Sequence, residues 1–404
     1  MTKCLSPNQT IKAISWMSFC WSCATVMVFS LLPVYLADEL AIGHTQIGLI
    51  EGVAVASSFA AKFFSGLLSD VQKKRKPLIM LGTILSALTK PLFAICSGAS
   101  AIFFLRLADR LSKGIRSAPT DALIADLSES HLYASNYGIR QALYTLGACG
   151  GGVLAMGIML WSDNNYRLVF WLSLLPALLA VGILHFLVKP KAQTHPRHDQ
   201  KFQTKILISD FGKFSPAFWW LLVAIFFLMM SRFSEAFLTL KAKQSGFSIA
   251  FLPAVIILMD IVHSVVAMPA GRFADQISRT KMLGLGLLVA MTAQLLVAWS
   301  DSSLAMLLGI LLVGLHLGIT QGLIKALIAQ STPAELRGCA FSLYFAVSAV
   351  ALFLGNLIAG HLSETFGMGA TFLGGALFTG VSLLVLLLTN LLNKPALEKM
   401  PRPA

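Results

Sequence analysis

Twelve apolar runs of membrane-spanning length constrain this chain more than any other feature in it. They fall at 13–36, 46–69, 78–97, 101–124, 135–161, 167–188, 217–240, 248–270, 282–300, 303–329, 339–362 and 368–392. A helix needs roughly 20 apolar residues to cross the hydrocarbon layer. Lipid cannot satisfy an open sheet edge, and no alternating barrel pattern is present, so the spans are expected to be helices. The predicted fold class is therefore an all-α membrane protein of twelve transmembrane helices in two six-helix bundles. Charge agrees with this: only 12% of the 404 residues are charged and 56% are apolar, whereas a soluble domain carries roughly 25% charged residues. Such a composition excludes a disordered chain, a secreted disulfide scaffold and an ordinary soluble enzyme.

The chain carries 31 basic and 18 acidic residues, a net charge of +13. Their placement sets the orientation. With the N-terminus inside, Lys3, Lys12, Lys73, Lys74, Arg75, Lys76, Lys189, Lys191, Arg197, Lys201, Lys205, Lys213, Arg272, Arg279, Lys281, Arg337, Lys394, Lys399 and Arg402 all fall on the cytoplasmic side. Only Arg167, Lys241 and Lys243 fall outside, 19 against 3. Loops rich in Lys and Arg stay in the cytoplasm, which predicts that both termini are cytoplasmic. No basic domain with interleaved aromatics stands apart from the apolar runs, so no nucleic-acid partner is expected. The first run is too long for a signal-peptide core and lacks a cleavage site. Cys20 and Cys23 form a C-x-x-C on a membrane helix without a second pair, which reads as small buried residues rather than a metal or redox site.

The segment 189–216 is polar, basic and interrupted by Pro190, Pro196 and Pro216. It separates a first six-span bundle (1–188) from a second (217–404). His195 and His198 within it read as part of a solvated loop, and no metal site is expected. The two halves echo each other: Gly66, Asp70, Lys74 and Lys76 recur as Gly271, Asp275, Arg279 and Lys281, each 205 residues later. Internal duplication into six-span halves is a transporter architecture.

These residues resemble the signature loop of the major facilitator superfamily, roughly G-x-x-x-D-[RK]-x-G-[RK]-[RK] between spans two and three. Here it stands as Gly66 to Arg75 and again as Gly271 to Arg279. It departs from the pattern at Lys73 and Ser278, in the glycine slot, and at Val71. The resemblance implies two pseudo-symmetric bundles and a conformational latch at Gly66, Asp70, Lys74, Gly271, Asp275 and Arg279. In span four, Asp109-Arg110-Leu-Ser-Lys113-Gly114-Ile-Arg116-Ser-Ala-Pro119-Thr-Asp121 is similar to a bacterial subgroup of that superfamily, with departures at Ser112 and Thr120. That likeness implies a multi-pass protein of the bacterial cytoplasmic (inner) membrane, expected as a monomer. Gly147-Ala-Cys-Gly-Gly151-Gly152 in span five resembles part of a drug-antiporter motif, and small residues for helix packing explain it equally.

Function should lie with charges at membrane depth. Each costs at least about 2.5–3.5 kcal/mol unless it faces protein or water. On span four, Arg106, Asp109, Arg110 and Lys113 share one face at 100° per residue, with Arg116 beside it. Elsewhere stand Glu51, Lys62, Lys90, Arg140, Arg232, Glu235, Asp260, His263, His316, Gln321 and Lys325. Spacing along the helix pairs Arg106 with Asp109, Asp109 with Lys113 and Arg232 with Glu235, leaving Lys90, Arg110 and Lys113 without local partners. Arg106, Arg110, Lys113, Lys90, Lys62, Arg232 and Gln321 are therefore candidate substrate contacts for an anion. The structural reading is a fixed inter-helix network, favoured for Arg116, Asp121 and Arg140 near a helix end.

No Walker-type motif is present, so no ATP is expected as an energy source. Asp260, His263, Glu235, His316 and Asp109 are the candidates for proton coupling. No cofactor is expected. The sequence predicts a secondary transporter, a symporter or antiporter, for a small polar, anionic solute such as an organic acid or a polycarboxylate iron siderophore. Its alternative is a proton-driven exporter of amphipathic drugs. A membrane enzyme would need an H-E-x-x-H or G-x-S-x-G set, and neither appears.

Overall fold

A computed structural model describes residues 7–72, 75–96, 98–128, 133–188, 214–276, 278–332 and 336–392, and among these the chain is helical with no strand. The first pass is α1 (Pro7–Phe29) followed by α2 (Leu32–Asp38). Single helices make the next four: α3 (His44–Gln72), α4 (Arg75–Ile95), α5 (Ala99–Leu127) and α6 (Tyr133–Trp161). The sixth pass is α7 (Tyr166–Leu172) with α8 (Leu174–Phe186), and the seventh is α9 (Pro216–Ser231) with α10 (Glu235–Gln244). Then come α11 (Pro253–Gln276), α12 (Arg279–Ala298), α13 (Ser303–Gln330), α14 (Arg337–Phe366) and α15 (Met368–Leu392). Ten of these passes are long and apolar enough to cross a membrane. The two further long helices, α3 and α5, have 29 residues each. Helix α5 differs from the rest in the charge it bears.

Packing follows the division of the chain. In the first half, α1 lies on α6 and α8, while α3 and α4 lie on α5; in the second, α9 lies on α14 and α15, and α12 and α11 lie on α13. The halves meet along α3 with α14, α6 with α11, and α2 with α10. Most of the linker expected at 189–216 lies outside the described residues. Large apolar side chains such as Phe104, Trp161, Phe186 and Phe366 are exposed, as a surface solvated by lipid requires. Trp16, Trp219 and Trp220 share that surface, whereas Trp21 is buried inside the first bundle.

Three passes are interrupted where the sequence runs on without a break. Pro33 accounts for the first, since its ring clashes with a preceding carbonyl and its nitrogen cannot donate. The interruption after Ser231 has no proline. Its freed backbone groups are instead met by side chains of neighbouring helices. The Ser234 N–H donates to Asn356 Oδ1 at 2.7 Å, and Gln294 Nε2 donates to the Ser231 carbonyl at 3.1 Å. Non-helical backbone at membrane depth survives only when protein supplies such partners. This break carries Arg232 and Glu235 to their positions.

Candidate functional site

The charged face of α5 is resolved by its neighbours. Arg106 is buried and forms a two-pronged ion pair with Glu51 of α3, Nε to Oε1 at 2.7 Å and Nη2 to Oε2 at 2.8 Å. The guanidinium carbon lies 3.8 Å from the centroid of the Phe29 ring. Asp109 meets Lys90 of α4 at 3.2 Å and accepts from Ser86 Oγ at 3.0 Å. Lys90 is fully buried and donates to that same Ser86 hydroxyl at 2.9 Å. Arg116 stacks 3.8 Å from the Trp21 centroid, and Arg140 pairs with Asp121 at 2.7 Å.

These contacts correct the pairing expected along the helix. Arg106 does not close on Asp109, nor Asp109 on Lys113, because α3 offers Arg106 a carboxylate at 2.7 Å and α4 offers Asp109 an ammonium at 3.2 Å. Lys90, expected without a partner, has one. The ion pair of Arg140 with Asp121 agrees with the structural reading of those two residues. Glu51 belonged to the interior acids, yet nothing in its sequence neighbourhood marked it as the counter-ion of the α5 arginines. A single acid near the start of an apolar run was the available signal.

What remains is a set of cations with no close carboxylate contact: Arg110, Lys113 and Lys62, the last within electrostatic reach of Asp121. Arg110 reaches Glu51 only at 3.7 Å and keeps 22% of its side chain exposed. Lys113 and Lys62 are half-buried and, among the described residues, form no ion pair. Lys62 lies over the Phe59 ring at 5.4 Å and within electrostatic reach of Lys113 and Lys325. Glu235 begins α10 and is exposed, and Asp260 on α11 is half-buried; both come within electrostatic reach of Lys113. His263, one turn along α11 from Asp260, stands near Gln321 of α13. Arg232 does not pair with Glu235 as the spacing predicts, because the break turns the two apart. Its Nε donates to His316 Nε2 at 3.2 Å and its Nη2 bonds Thr320 Oγ1. The other His316 nitrogen meets the Gly286 carbonyl at 2.9 Å, so both ring nitrogens are engaged. Charged side chains of both halves thus come within electrostatic reach of one another: Lys113 of the first with Glu235 and Asp260 of the second.

The two halves are closed against each other at the end carrying residues 39–43 and 245–248. There Lys243 pairs with Asp38, the Thr45 N–H donates to Glu364 Oε2 at 2.8 Å, and His44 Nδ1 meets Ser363 Oγ at 2.7 Å. Just below, Ser234 donates to Glu51 Oε2 at 3.0 Å, which ties the α5 ion pair to the second half. Contact between halves continues to Phe59 with Phe345, whose ring centroids are 6.0 Å apart, and to Thr145 with Ser264 at 3.4 Å.

Of the expected latch, Gly66 and Asp70 are helical in α3, but the surroundings of their side chains lie outside the described residues. So do all of Lys74 and the side chain of Asp275. Gly271 is exposed on α11 with nothing within 4 Å of where a Cβ would stand. Arg279 opens α12 and reaches Gln330 at 3.5 Å. Arg75 pairs with Asp126 at 2.5 Å, tying the start of α4 to the end of α5. Among the described residues no group of three or more His, Cys, Asp or Glu stands close enough to hold a metal ion.

A helical bundle in two packed halves, with charged side chains buried at membrane depth, is the build of a membrane solute carrier. The chain belongs to the Major Facilitator Superfamily, whose model matches residues 14–265 and 242–404, and it is a multi-pass membrane transporter of that family. It is 27% identical over 387 residues, 94% of each chain, to an uncharacterized MFS-type transporter of Methanocaldococcus jannaschii. Over 238 residues, 56% of each chain, it is 28% identical to the quinolone resistance protein NorA of Staphylococcus aureus. Its fold matches the crystal structure of the nucleoside transporter NupG with a TM-score of 0.75 at 14% identity, covering 97% of this chain and 100% of that one.

Proposed function

We propose that this transporter moves a small anionic solute across the bacterial cytoplasmic membrane by alternating access, with its two halves, 1–188 and 217–404, rocking about these charged side chains. The observation that carries this reading is Lys113. A lysine just under four helical turns from either end of a membrane helix, half-buried and in no ion pair among the described residues, is costly unless an anion visits it. Arg110 beside it spends only one long contact on Glu51, and Lys62 lies within electrostatic reach. Organic acids and polycarboxylate chelates have the complementary chemistry. The excess of Lys and Arg in the α3–α4 connection, the linker and the termini supports a cytoplasmic location for that end, and the seal at the other end supports a conformation open to the cytoplasm. Glu235 and Asp260 are the acids positioned to couple a proton to the cycle.

The test is flux in proteoliposomes. Lys113→Gln removes one charge-assisted contact, worth about 1.5–3 kcal/mol. The concentration giving half-maximal transport of an anion should therefore rise roughly 10- to 100-fold. Unchanged uptake by both Lys113→Gln and Arg110→Gln would sink the anionic site.

A second reading is export of amphipathic compounds with proton exchange. Two observations favour it: Glu235 and Asp260 are in no ion pair among the described residues, and one relative carries the name quinolone resistance protein. Under this reading Asp260→Asn abolishes efflux of a quinolone from cells, while Lys113→Gln leaves it intact.

A further inference from the structure

The second half holds a cation that a singly charged solute on Lys113 leaves without a counter-charge. Arg232 stands in the break between α9 and α10, half-buried, and both of its hydrogen-bond partners, His316 and Thr320, belong to α13. Neither supplies a negative charge, since His316 accepts from the arginine. Among the described residues Arg232 is in no ion pair, and Glu235, three residues on, stands within electrostatic reach of Lys113 instead. The ionisable side chains that bear on Arg232 are the phenol of Tyr344 and the imidazoles of His263 and His316, and no carboxylate is among them. Guanidinium groups left in a bundle without an anion pay for their lost hydration.

The two cationic stations stand in opposite halves, and neighbouring turns of α11 come within electrostatic reach of each. Asp260 is within electrostatic reach of Lys113 and Glu235. His263, one turn away on the same helix, is within reach of Arg232. A cargo with a single negative group can satisfy one station at a time. We propose that the solute carries two separated anionic groups, one seated on Arg110 and Lys113 of the first half and the other on the Arg232 guanidinium of the second, so that the cargo bridges the halves. This inference rests on the anionic-solute reading and narrows it to dicarboxylates and larger polyanions. Arginine suits the second station because its planar fork meets a carboxylate on two donors, whereas lysine offers a point charge.

The test measures thermal stabilisation of the purified full-length protein by acetate, by dicarboxylates from malonate to adipate, by citrate and by inorganic phosphate. At least one dicarboxylate or citrate should reach half its effect at a concentration about tenfold or more below that of acetate. Arg232→Gln should erase that advantage, and Arg232→Lys should retain part of it. The wild-type series decides the matter even where a variant fails to fold. Acetate acting as well as every dicarboxylate would overturn the bridging cargo while leaving the anionic site standing. Phosphate acting as strongly as dicarboxylates, without regard to Lys113→Gln, would make Arg232 a seat for a small solution anion and also overturn it. If no anion stabilises the protein, both this inference and the reading beneath it fall.

Discussion

A buried ion pair is held in place less by its own attraction than by what either partner would face alone. Glu51 and Arg106 are 2% and 3% exposed, and the acid also accepts from Ser234 across the boundary between halves. Glu51→Gln leaves Arg106 as an uncompensated buried cation. It should lower stability by about 3–5 kcal/mol, read as a fall in the unfolding midpoint in mild detergent. Replacing both partners, Glu51→Leu with Arg106→Met, should recover most of that loss, since well-packed apolar pairs replace buried ion pairs at little penalty. A double variant as unstable as the single one would show that the other contacts of Glu51, with Ser234 and Arg110, matter more than its pair with Arg106. At this scale the sequence told the inventory but not the pairing. Helical spacing identifies which charges share a face of α5. It carries no information on which residue of α3 or α4 that face meets, so Glu51 and Lys90 became partners only once three helices were in place.

Between elements, glycine decides how closely helices approach. Gly147 and Gly151 are one turn apart on α6 and lie against α1, where an added Cβ would run into the carbonyl oxygens of Phe19 and Cys23. Their likeness to a drug-antiporter motif is thus accompanied by a packing role that needs no substrate, as small residues at a membrane helix interface allow. Gly151→Leu should separate α1 from α6 and reduce the yield of monodisperse protein, at a cost of about 1–3 kcal/mol or more. Gly157→Ala, on the same helix with nothing within 4 Å of its Cβ position, is the matched control. Equal yields from the two would remove the close contact from the account. Helix existence and order were legible at this scale, because runs of about 20 apolar residues have one stable form in lipid. The break after Ser231 was not. Its stability depends on Asn356 and Gln294, which lie 63 to 122 residues away in sequence.

For the whole molecule, the seam between α3 and α14 is the part that a rocking cycle must open. Gly48 packs against the Asn356 carbonyl, Gly52 stands 3.0 Å from the Phe353 carbonyl measured from its Cβ position, and Gly360 lies against His44 and Thr45. The cross-half bonds of Asp38 with Lys243 and of Glu364 with Thr45 are exposed, so parting them transfers charged groups to water rather than stripping them of partners. A wedge there should shift a population instead of unfolding the protein. Gly48→Val introduces overpacking worth about 1–3 kcal/mol, and if the sealed form alone bears it, the ratio of sealed to open forms falls about 5- to 150-fold. Spin labels at Glu39→Cys and Gln244→Cys, in a background lacking the native cysteines, report the distance across this end. The variant should populate a longer distance that the unwedged protein shows only weakly, and an added anionic cargo that bridges the halves should restore the shorter one. If the distance stays fixed while the unfolding midpoint drops, the seam is a static interface, and alternation between the halves must be sought along α6 and α11 instead.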